Sequence, residues 1–355
     1  MAGWGTWGHV FPIRSLLEFL NNRKEYEEHI EKLYRFGARK SLEQQVCHDL
    51  QERNPEKELS FIPIYSWKYR RESYRKSKLK NIPDFFLFVI WFFQSLFRLI
   101  YHRIDVVFCK WGYVALPVVL AAALLRRKVV VHESDTRPGL VNKIAARFAK
   151  KTFTGFEWTL LDGETIGQIL SDDIIIETHP EFTSKTLILV AWGSQGSKRL
   201  YQNLLHVLEF TPDIESRYEF FIVLGLMNEE MSTLFDKFHH VHTYGFLSQK
   251  EMGELYNMCD LSITRGWTTS LAEQKLYDIK QIIVPIPRTH DQYDNAKRYV
   301  RVHNDIMINQ RDHDFEAQLA NAIKHFKGFK KIRQQKDKKA IISHAKKIIR
   351  DSLLA

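Results

Sequence analysis

Cysteine is scarce and scattered. Cys47, Cys109 and Cys259 are the three cysteines in 355 residues and show no CxxC spacing, which argues against a disulfide framework or a thiolate metal cluster and fits a reducing compartment. Glycine is also low, at 16 residues, about 4.5% against a usual value near 7%. Long apolar runs are missing. The longest, residues 85–93, covers nine residues, where a membrane-spanning helix needs about 20. The N-terminus lacks the basic-then-apolar pattern of a secretory leader. No short repeat or low-complexity tract interrupts the chain, although its last 30 residues are rich in lysine and read as a helix. The expectation is a protein that touches a membrane at most and does not cross one.

What is present points to an α/β enzyme. The length exceeds one ordinary core and 45% of residues are apolar, so two domains can each bury a core. A net charge of +10 favours polyanionic partners: nucleic acid, an anionic membrane or a phosphate-bearing substrate. No nucleic-acid recognition motif accompanies the charge, so nucleic acid is not expected. Short β-rich runs at residues 60–64, 105–109, 128–132 and 152–156 alternate with helix-length segments at 112–126 and 139–150. A second series places strands at 186–190, 220–224, 261–264 and 281–285, with helices at 198–209 and 270–277. Such alternation predicts parallel sheets wrapped by helices. A polar stretch at 171–185 reads as the linker between two Rossmann-like halves. The expected domains are 1–172 and 186–335, with residues 336–355 forming a helix that packs back on the first.

Four local patterns hold the chemistry. The first is Gly3-Trp4-Gly5-Thr6-Trp7-Gly8-His9-Val10-Phe11-Pro12. The second is His132-Glu133-Ser134-Asp135-Thr136-Arg137-Pro138-Gly139-Leu140. The third, Trp192-Gly193-Ser194-Gln195-Gly196-Ser197, follows an apolar strand directly. The fourth runs from Thr264-Arg265-Gly266-Trp267-Thr268-Thr269 through Glu273 to His290-Asp291-Gln292-Tyr293-Asp294-Asn295. A strand–glycine–serine–helix junction aims backbone N–H groups and a helix dipole at an anion. The third pattern is such a junction; without a ligand it is a tight strand-to-helix turn.

In this order and spacing the four patterns resemble the MurG-type family of UDP-N-acetylglucosamine-dependent transferases over nearly the whole chain. The resemblance implies a fold of two Rossmann-like domains facing a cleft (GT-B type). It also implies inverting transfer of N-acetylglucosamine from UDP-N-acetylglucosamine to an undecaprenyl-linked acceptor at the cytoplasmic face of the membrane. By the same resemblance Ser194, Gln195 and Gly196 hold the pyrophosphate, Glu273 accepts the ribose hydroxyls and Gln292 contacts the donor sugar. Phe246 and Leu247 flank the uracil, and Thr6, Gly8, Arg265, Thr268, Thr269 and Asn295 complete the donor set. A carboxylate at Glu273 also suits the helix dipole without any ligand. His9 titrates near neutrality and is a candidate general base; the alternative is phosphate binding or loop orientation. Asp135 stands where the family has asparagine and is the second candidate base. Thr178-His179-Pro180-Glu181-Phe182 fills the place of the family's linker arginine and provides no counterpart. Asp312-His313-Asp314 has the form of a metal-binding DxD but falls between elements, as a helix cap does. No metal or other cofactor is expected.

Seven of the eight tryptophans (Trp4, Trp7, Trp67, Trp91, Trp111, Trp192 and Trp267) fall on glycines of the family pattern; Trp158 has no such match. Phosphate loops need glycine for positive φ and close backbone approach, and an indole at Trp7 or Trp192 is expected to fill the pyrophosphate space. The expectation is that the gene uses UGA for glycine; the alternative is a degenerate paralogue. The first glycine loop also opens the chain where a core strand should precede it, so the N-terminal sheet is expected to lack a central member. Residues 68–80 contain seven basic residues and one acid, directly before the apolar run at 85–93. Arg70, Arg71, Phe85, Phe86 and Phe88 therefore read as an anchor to an anionic membrane surface; a core helix after a solvated basic loop is the alternative. Two rival functions stay open, a diacylglycerol glycosyltransferase of the same fold and a non-catalytic membrane scaffold.

Overall fold

Alternating strands and helices assemble into two units, Met1–Leu170 with Ile342–Ala355, and Ser171–Ile341. The computed structural model describes residues 1–3, 7–21, 30–53, 58–64, 75–110, 112, 114–178, 183–287, 289–326 and 337–355; the side chains of 7–9, 75–86, 212 and 290 lie outside that description.

Unit 1 runs α1 (Trp7–Asn21), β1 (Leu33–Gly37), α2 (Leu42–Arg53), β2 (Leu59–Pro63), α3 (Arg75–Tyr101), β3 (Val106–Cys109), α4 (Ala115–Leu124), β4 (Lys128–Glu133), α5 (Leu140–Ala146), β5 (Lys151–Thr154) and β6 (Glu164–Thr165). All pairings are parallel, in the orders β1-β2 and β3-β4-β5-β6. Ala2 joins the two sets, bridging Phe36 of β1 and Cys109 of β3. Its N–H donates to the Phe108 carbonyl at 2.8 Å, and its carbonyl accepts from Lys110 N at 3.1 Å. Residues 1–3 thus hold the central position that the sequence reading expects to be vacant. Parallel strands buried on both faces need continuous β-branched runs, and Val106-Val107-Phe108-Cys109 and Val129-Val130-Val131 supply them. Val107, Cys109, Val129 and Val131 pack under α3 and α4, with Trp91, Val118 and Val119. Phe108, Val130 and Phe153 face Leu16 and Phe19 of α1 together with Ala345 and Ile349 near the C-terminus.

Unit 2 runs β7 (Thr186–Ala191), α6 (Lys198–Glu209), β8 (Tyr218–Val223), α7 (Ser232–Phe235), β9 (Val241–Tyr244), α8 (Gln249–Met258), β10 (Leu261–Thr264), α9 (Thr268–Leu276), β11 (Lys280–Ile283), α10 (His290–His303), β12 (Ile306–Met307) and α11 (Phe315–Lys324); α12 (Lys338–Leu354) closes the chain. Its parallel sheet is ordered β12-β11-β10-β7-β8-β9. From β7 the chain winds outward through β8 and β9, then returns to β10 on the other side of β7. Ligands of open α/β sheets bind outside the strand C-termini at such a reversal, so topology alone directs attention to the β7/β10 end. The stretch expected as a linker is docked for its first half: the Tyr277 hydroxyl donates to the Ile174 carbonyl and accepts from Ile176 N at 2.9 Å, and Asn257 donates to the Thr178 carbonyl. Polar composition reads as linker, but here those backbone groups have buried partners.

Candidate functional site

At the end of β7, Gly193 and Gly196 take φ values of +92° and +71°, which side chains with a Cβ adopt only at a cost. A Cβ on Gly196 would lie 2.0 Å from the Leu224 carbonyl oxygen, and one on Gly225 (φ +75°) would lie 2.7 Å from the Ser194 carbonyl oxygen. Two glycines are therefore required for the loop after β8 to seat against the loop after β7. Leu226 N donates to the Ser194 carbonyl at 2.9 Å and Asn228 Nδ2 to the Gln195 carbonyl at 2.7 Å. The Tyr201 hydroxyl fixes the Val223 carbonyl at 2.8 Å. The carbonyls are thus turned toward β8. The N–H groups of Ser194, Gln195 and Ser197 donate to nothing among the described residues. Ser197 is the N-cap of α6 without a capping side chain, so first-turn donors of that helix join them. The result is an open row of backbone donors.

Two further helices begin beside this row. Trp267 N-caps α9 and Thr289 N-caps α10, neither with a side-chain cap. Glu273, on α9, is 5% exposed, and one of its oxygens accepts from the Tyr256 hydroxyl at 3.1 Å. Burial pushes its carboxyl up to about 7, with the Tyr256 hydrogen bond pulling the other way. Gln292, on α10, accepts from Ile286 N at 3.0 Å through its Oε1, while its buried Nε2 has no partner among the described residues. A Cβ on Gly266 would lie 2.4 Å from the Gln292 carbonyl oxygen, and Asn295 Nδ2 reaches the Gly266 carbonyl at 3.2 Å. These contacts clamp the β10 junction to the β11 junction. Thr268 is buried, and Thr269, Phe246 and Leu247 are half-buried.

Arg265 differs from its sequence-based reading. Its guanidinium is internal, donating to the Val284 carbonyl at 3.0 Å, Gln310 Oε1 at 2.7 Å and Ser197 Oγ at 3.2 Å. It ties the α6 cap to the β10 junction and does not present an uncommitted head. Trp192 differs as well. Its ring is 3% exposed in the unit 2 core, under the Arg265 guanidinium at 5.8 Å. The indole beside the donor row is Trp267, whose Nε1 lies 3.2 Å from where a Gly193 Cβ would be. Trp192 packs inward in the cluster that also holds Val190 and Ile222; its Nε1, like that of Trp91, is buried without an acceptor among the described residues.

In unit 1, Thr6 lies outside the described residues, as do Arg70, Arg71 and residues 179–182. Gly8 and His9 fall on the first turn of α1, with the His9 side chain not described. The Asp135 turn is built by Glu133. Glu133 Oε1 accepts from Asp135 N at 2.9 Å; Oε2 accepts from Gly139 N at 3.1 Å and Asn142 Nδ2 at 3.0 Å. Burial, then the nearby Asp135 charge, pushes the Glu133 carboxyl up to about 7. Behind it Lys110, 3% exposed, contacts His132 Nδ1 at 3.2 Å and Ser134 Oγ. Sequence reasoning overlooks Lys110; the signal is a lysine ending the run Val-Val-Phe-Cys-Lys, where a parallel strand delivers its last residue to the functional edge.

The apolar residues expected as an anchor stand at the start of the apolar part of α3. Phe85 and Phe86 lie on the helix with their side chains not described, and Phe88 is half-buried. Among the described side chains, exposure falls on Ile90 (58%), Phe93 (60%), Phe97 (61%), Ile100 (55%) and Tyr101 (67%). Their spacing of three and four residues makes one stripe, opposite the buried Trp91, Ser95 and Leu99. No helix among the described residues is long and apolar enough to cross a membrane.

Comparison with known proteins matches this architecture. The glycosyltransferase family 28 N-terminal domain matches residues 1–154 and the family 28 C-terminal domain matches residues 187–352. The UDP-N-acetylglucosamine--N-acetylmuramyl-(pentapeptide) pyrophosphoryl-undecaprenol N-acetylglucosamine transferase of Staphylococcus carnosus is 28% identical over 315 residues, covering 84% of this chain and 80% of the relative. Its Staphylococcus aureus (strain JH9) counterpart is 28% identical over 313 residues, covering 84% and 82%. Among solved structures, Acinetobacter baumannii MurG aligns with a TM-score of 0.70 at 19% identity, over 99% of this chain and 98% of that one. With both domains of one family matched in order, each on a parallel sheet whose strand order reverses at its centre, the chain belongs to glycosyltransferase family 28 as a MurG-type member.

Proposed function

We propose that this chain is a hexosyltransferase that moves N-acetylglucosamine, with inversion, from UDP-N-acetylglucosamine to undecaprenyl-diphospho-N-acetylmuramyl-peptide in peptidoglycan synthesis. The observation behind the reading is the β7/β10 end of unit 2. There an open row of backbone donors, a buried carboxylate with one protein partner and a buried amide with a spare donor stand on three neighbouring junctions. The staphylococcal relatives are named for this transfer. In this reading the diphosphate lies on the N–H groups of Ser194, Gln195 and Ser197, while Gly196, whose own N–H turns back to the Gly193 carbonyl at 3.0 Å, gives the loop its close approach. The ribose hydroxyls donate to Glu273, and Gln292 Nε2 donates to the sugar. Phe246 and Leu247 flank the uracil. The acceptor 4-hydroxyl attacks the anomeric carbon as the bond to UDP breaks, and its proton passes to His9 or Asp135. The backbone donors stabilise the charge that builds on departing UDP. The α3 stripe seats the enzyme peripherally on the anionic cytoplasmic face, where both apolar burial and basic charge contribute.

The test is UDP release from the full chain with UDP-N-acetylglucosamine and a lipid-linked diphospho-N-acetylmuramyl acceptor. Release only with diacylglycerol would reassign it as a glycolipid synthase. Vesicle binding without release from either acceptor would make it a scaffold.

A second reading concerns the tryptophans. Trp91 and Trp192 each bury an indole N–H without an acceptor among the described residues, a cost of about 1–3 kcal/mol apiece, and the Trp267 indole stands beside Gly193 on the donor row. These observations favour glycine at positions 91, 192 and 267 of the native protein, and the family pattern extends the reading to the other four matched positions, all read from UGA codons. Peptide mass spectrometry of protein from its own cells decides it, with glycine expected at position 192 and tryptophan there ending the idea.

A further inference from the structure

Lys110 follows β3 directly and is almost fully buried, yet among the described residues no carboxylate touches its ammonium. Its hydrogen-bond partners are two neutral groups. His132 pairs its Nε2 with the Gly167 carbonyl at 2.9 Å, which requires the proton on Nε2 and leaves Nδ1 to accept from Lys110. Burial, then the Lys110 charge, holds that imidazole well below its usual range. Glu133 and Asp135 act on Lys110 through space, but both Glu133 oxygens are engaged by Asp135 N, Gly139 N and Asn142. Burial lowers the Lys110 ammonium to about 8, with those two carboxylates opposing. A buried cation contacted by neutral groups alone lacks a direct counter-ion. Ser134 is half-buried at the end of β4. The ammonium holds a lone pair of its hydroxyl, so the hydroxyl proton is left to donate, and it has no acceptor among the described residues.

We infer that Lys110 and Ser134 form a charge-backed hydroxyl donor for an oxyanion, with a phosphate oxygen of the diphosphate-bearing acceptor as its ligand. The inference rests on the proposed acceptor role of unit 1. Ser134 makes the contact, and Lys110 acts through it from beneath. A hydroxyl whose oxygen accepts from an ammonium is a stronger donor, and hydrogen bonds to ionised partners are about twice as strong as neutral ones. Position agrees with this chemistry. Both residues sit at the C-terminal ends of adjacent parallel strands, with β3 next to the central segment 1–3 where the strand order of unit 1 reverses.

The experiment titrates inorganic pyrophosphate into the full chain saturated with UDP, which occupies the donor loop, by calorimetry. Steady-state kinetics with the lipid acceptor run in parallel. S134A is expected to weaken pyrophosphate binding about 10- to 100-fold, K110M at least as much, and the double variant no further than K110M. S134T should stay near wild type. The acceptor KM should rise in step with little change in kcat, while UDP affinity and vesicle binding hold. Unchanged pyrophosphate affinity in S134A overturns the inference. So does absence of pyrophosphate binding to the UDP-saturated wild type, a loss of UDP affinity as large as that for pyrophosphate, or a fall in kcat with acceptor KM unmoved. If K110M fails to fold, the S134A and S134T pair decides alone. Pyrophosphate binding that behaves as expected in a wild type that never releases UDP would sink the proposed reaction and leave the anion site standing.

Discussion

The two units solve one problem in two ways. Each is a parallel sheet whose strand order reverses at a central strand, and each gathers polar groups at the strand C-termini beside that reversal. Unit 2 does so with backbone: Gly193, Gly196 and Gly225 let two loops interlock so that carbonyls turn inward and N–H groups stay open. Unit 1 does so with side chains, burying Lys110, His132, Glu133 and Asn142 beneath the Asp135 turn. Backbone donors cost no desolvated charge and suit a diphosphate of fixed shape. Buried ionisable groups are costlier to desolvate, but they supply what backbone cannot, a group able to exchange a proton. The contrast is the one that the proposed division requires, with unit 2 holding the leaving group and unit 1 managing the nucleophile.

The contrast breaks most visibly at the proton acceptor. If His9 takes the acceptor proton, His9→Ala should lower turnover about 10²- to 10⁴-fold and abolish the acidic limb of the pH profile. If Asp135 does so, Asp135→Asn should be equally severe. If His9 only orients phosphate, its loss should raise the acceptor KM more than it lowers kcat. Near-wild-type rates in both variants would remove proton chemistry from unit 1 and with it the basis of the comparison.

Unit 2 offers the reciprocal test. Gly196→Ala imposes left-handed backbone on a residue with a Cβ, about 1–2 kcal/mol, and drives that Cβ into a carbonyl oxygen that cannot move aside, about 1–3 kcal/mol more. Thermal unfolding and UDP calorimetry should both register a loss near 3 kcal/mol. Ser194→Ala, which keeps the backbone, should change UDP affinity far less; an equal loss would mean that unit 2 also works through side chains. Glu273→Ala should weaken UDP by about 1.5–3 kcal/mol for each ribose hydrogen bond removed. Unchanged UDP affinity would take Glu273 out of the donor site. A smaller effect is expected on the membrane face. Phe93→Ser with Phe97→Ser should reduce binding to anionic vesicles about tenfold or more, given roughly 1.5–3 kcal/mol for each phenylalanine fully buried, with UDP affinity intact. Vesicle sedimentation reads it, and undiminished binding would clear α3 of that role.

What could be seen in advance divides along the same line. The 193–196 loop and the strands around it are legible because glycine spacing and continuous apolar runs are local signals. The gathering of Glu273 and Gln292 beside that loop follows once the strand order is known. The Lys110 cluster is legible only in part: a lysine ending an apolar strand marks the strand's functional edge, but no spacing rule ties it to partners 22 and 24 residues away. Arg265 misleads for the opposite reason: its neighbours in sequence belong to a donor signature, while its partners Val284 and Gln310 come from other elements. β1 and β9 escape notice because Leu-Tyr-Arg-Phe-Gly and Val-His-Thr-Tyr interleave polar with apolar residues, as edge or half-buried strands do. Phe88 and Phe93 share one apolar run, and only the helical phase separates the half-buried ring from the exposed one.

The finest test of the contrast is whether unit 2 is free of proton chemistry when it binds. Glu273 is the exception to its backbone strategy, a buried carboxyl raised to about 7 by desolvation. With the folded value above the usual 4.5, the folded chain holds more protons than the unfolded one between those values. Its contribution to stability is therefore fully present below about pH 4.5 and is lost as pH rises through about 7. In the proposed donor site the ribose hydroxyls donate to the ionised carboxylate, so UDP binding there should drive the proton off. Calorimetry in buffers of differing ionisation enthalpy should then show release of up to about one proton near pH 6, falling toward zero by about pH 8. UDP affinity should rise over the same interval and level off above it. Glu273→Gln should flatten both curves while keeping the fold. Proton release that persists in Glu273→Gln would place the titrating group elsewhere, on UDP itself or on another side chain. Absence of release in the wild type would mean that Glu273 binds ribose, if at all, without changing its charge.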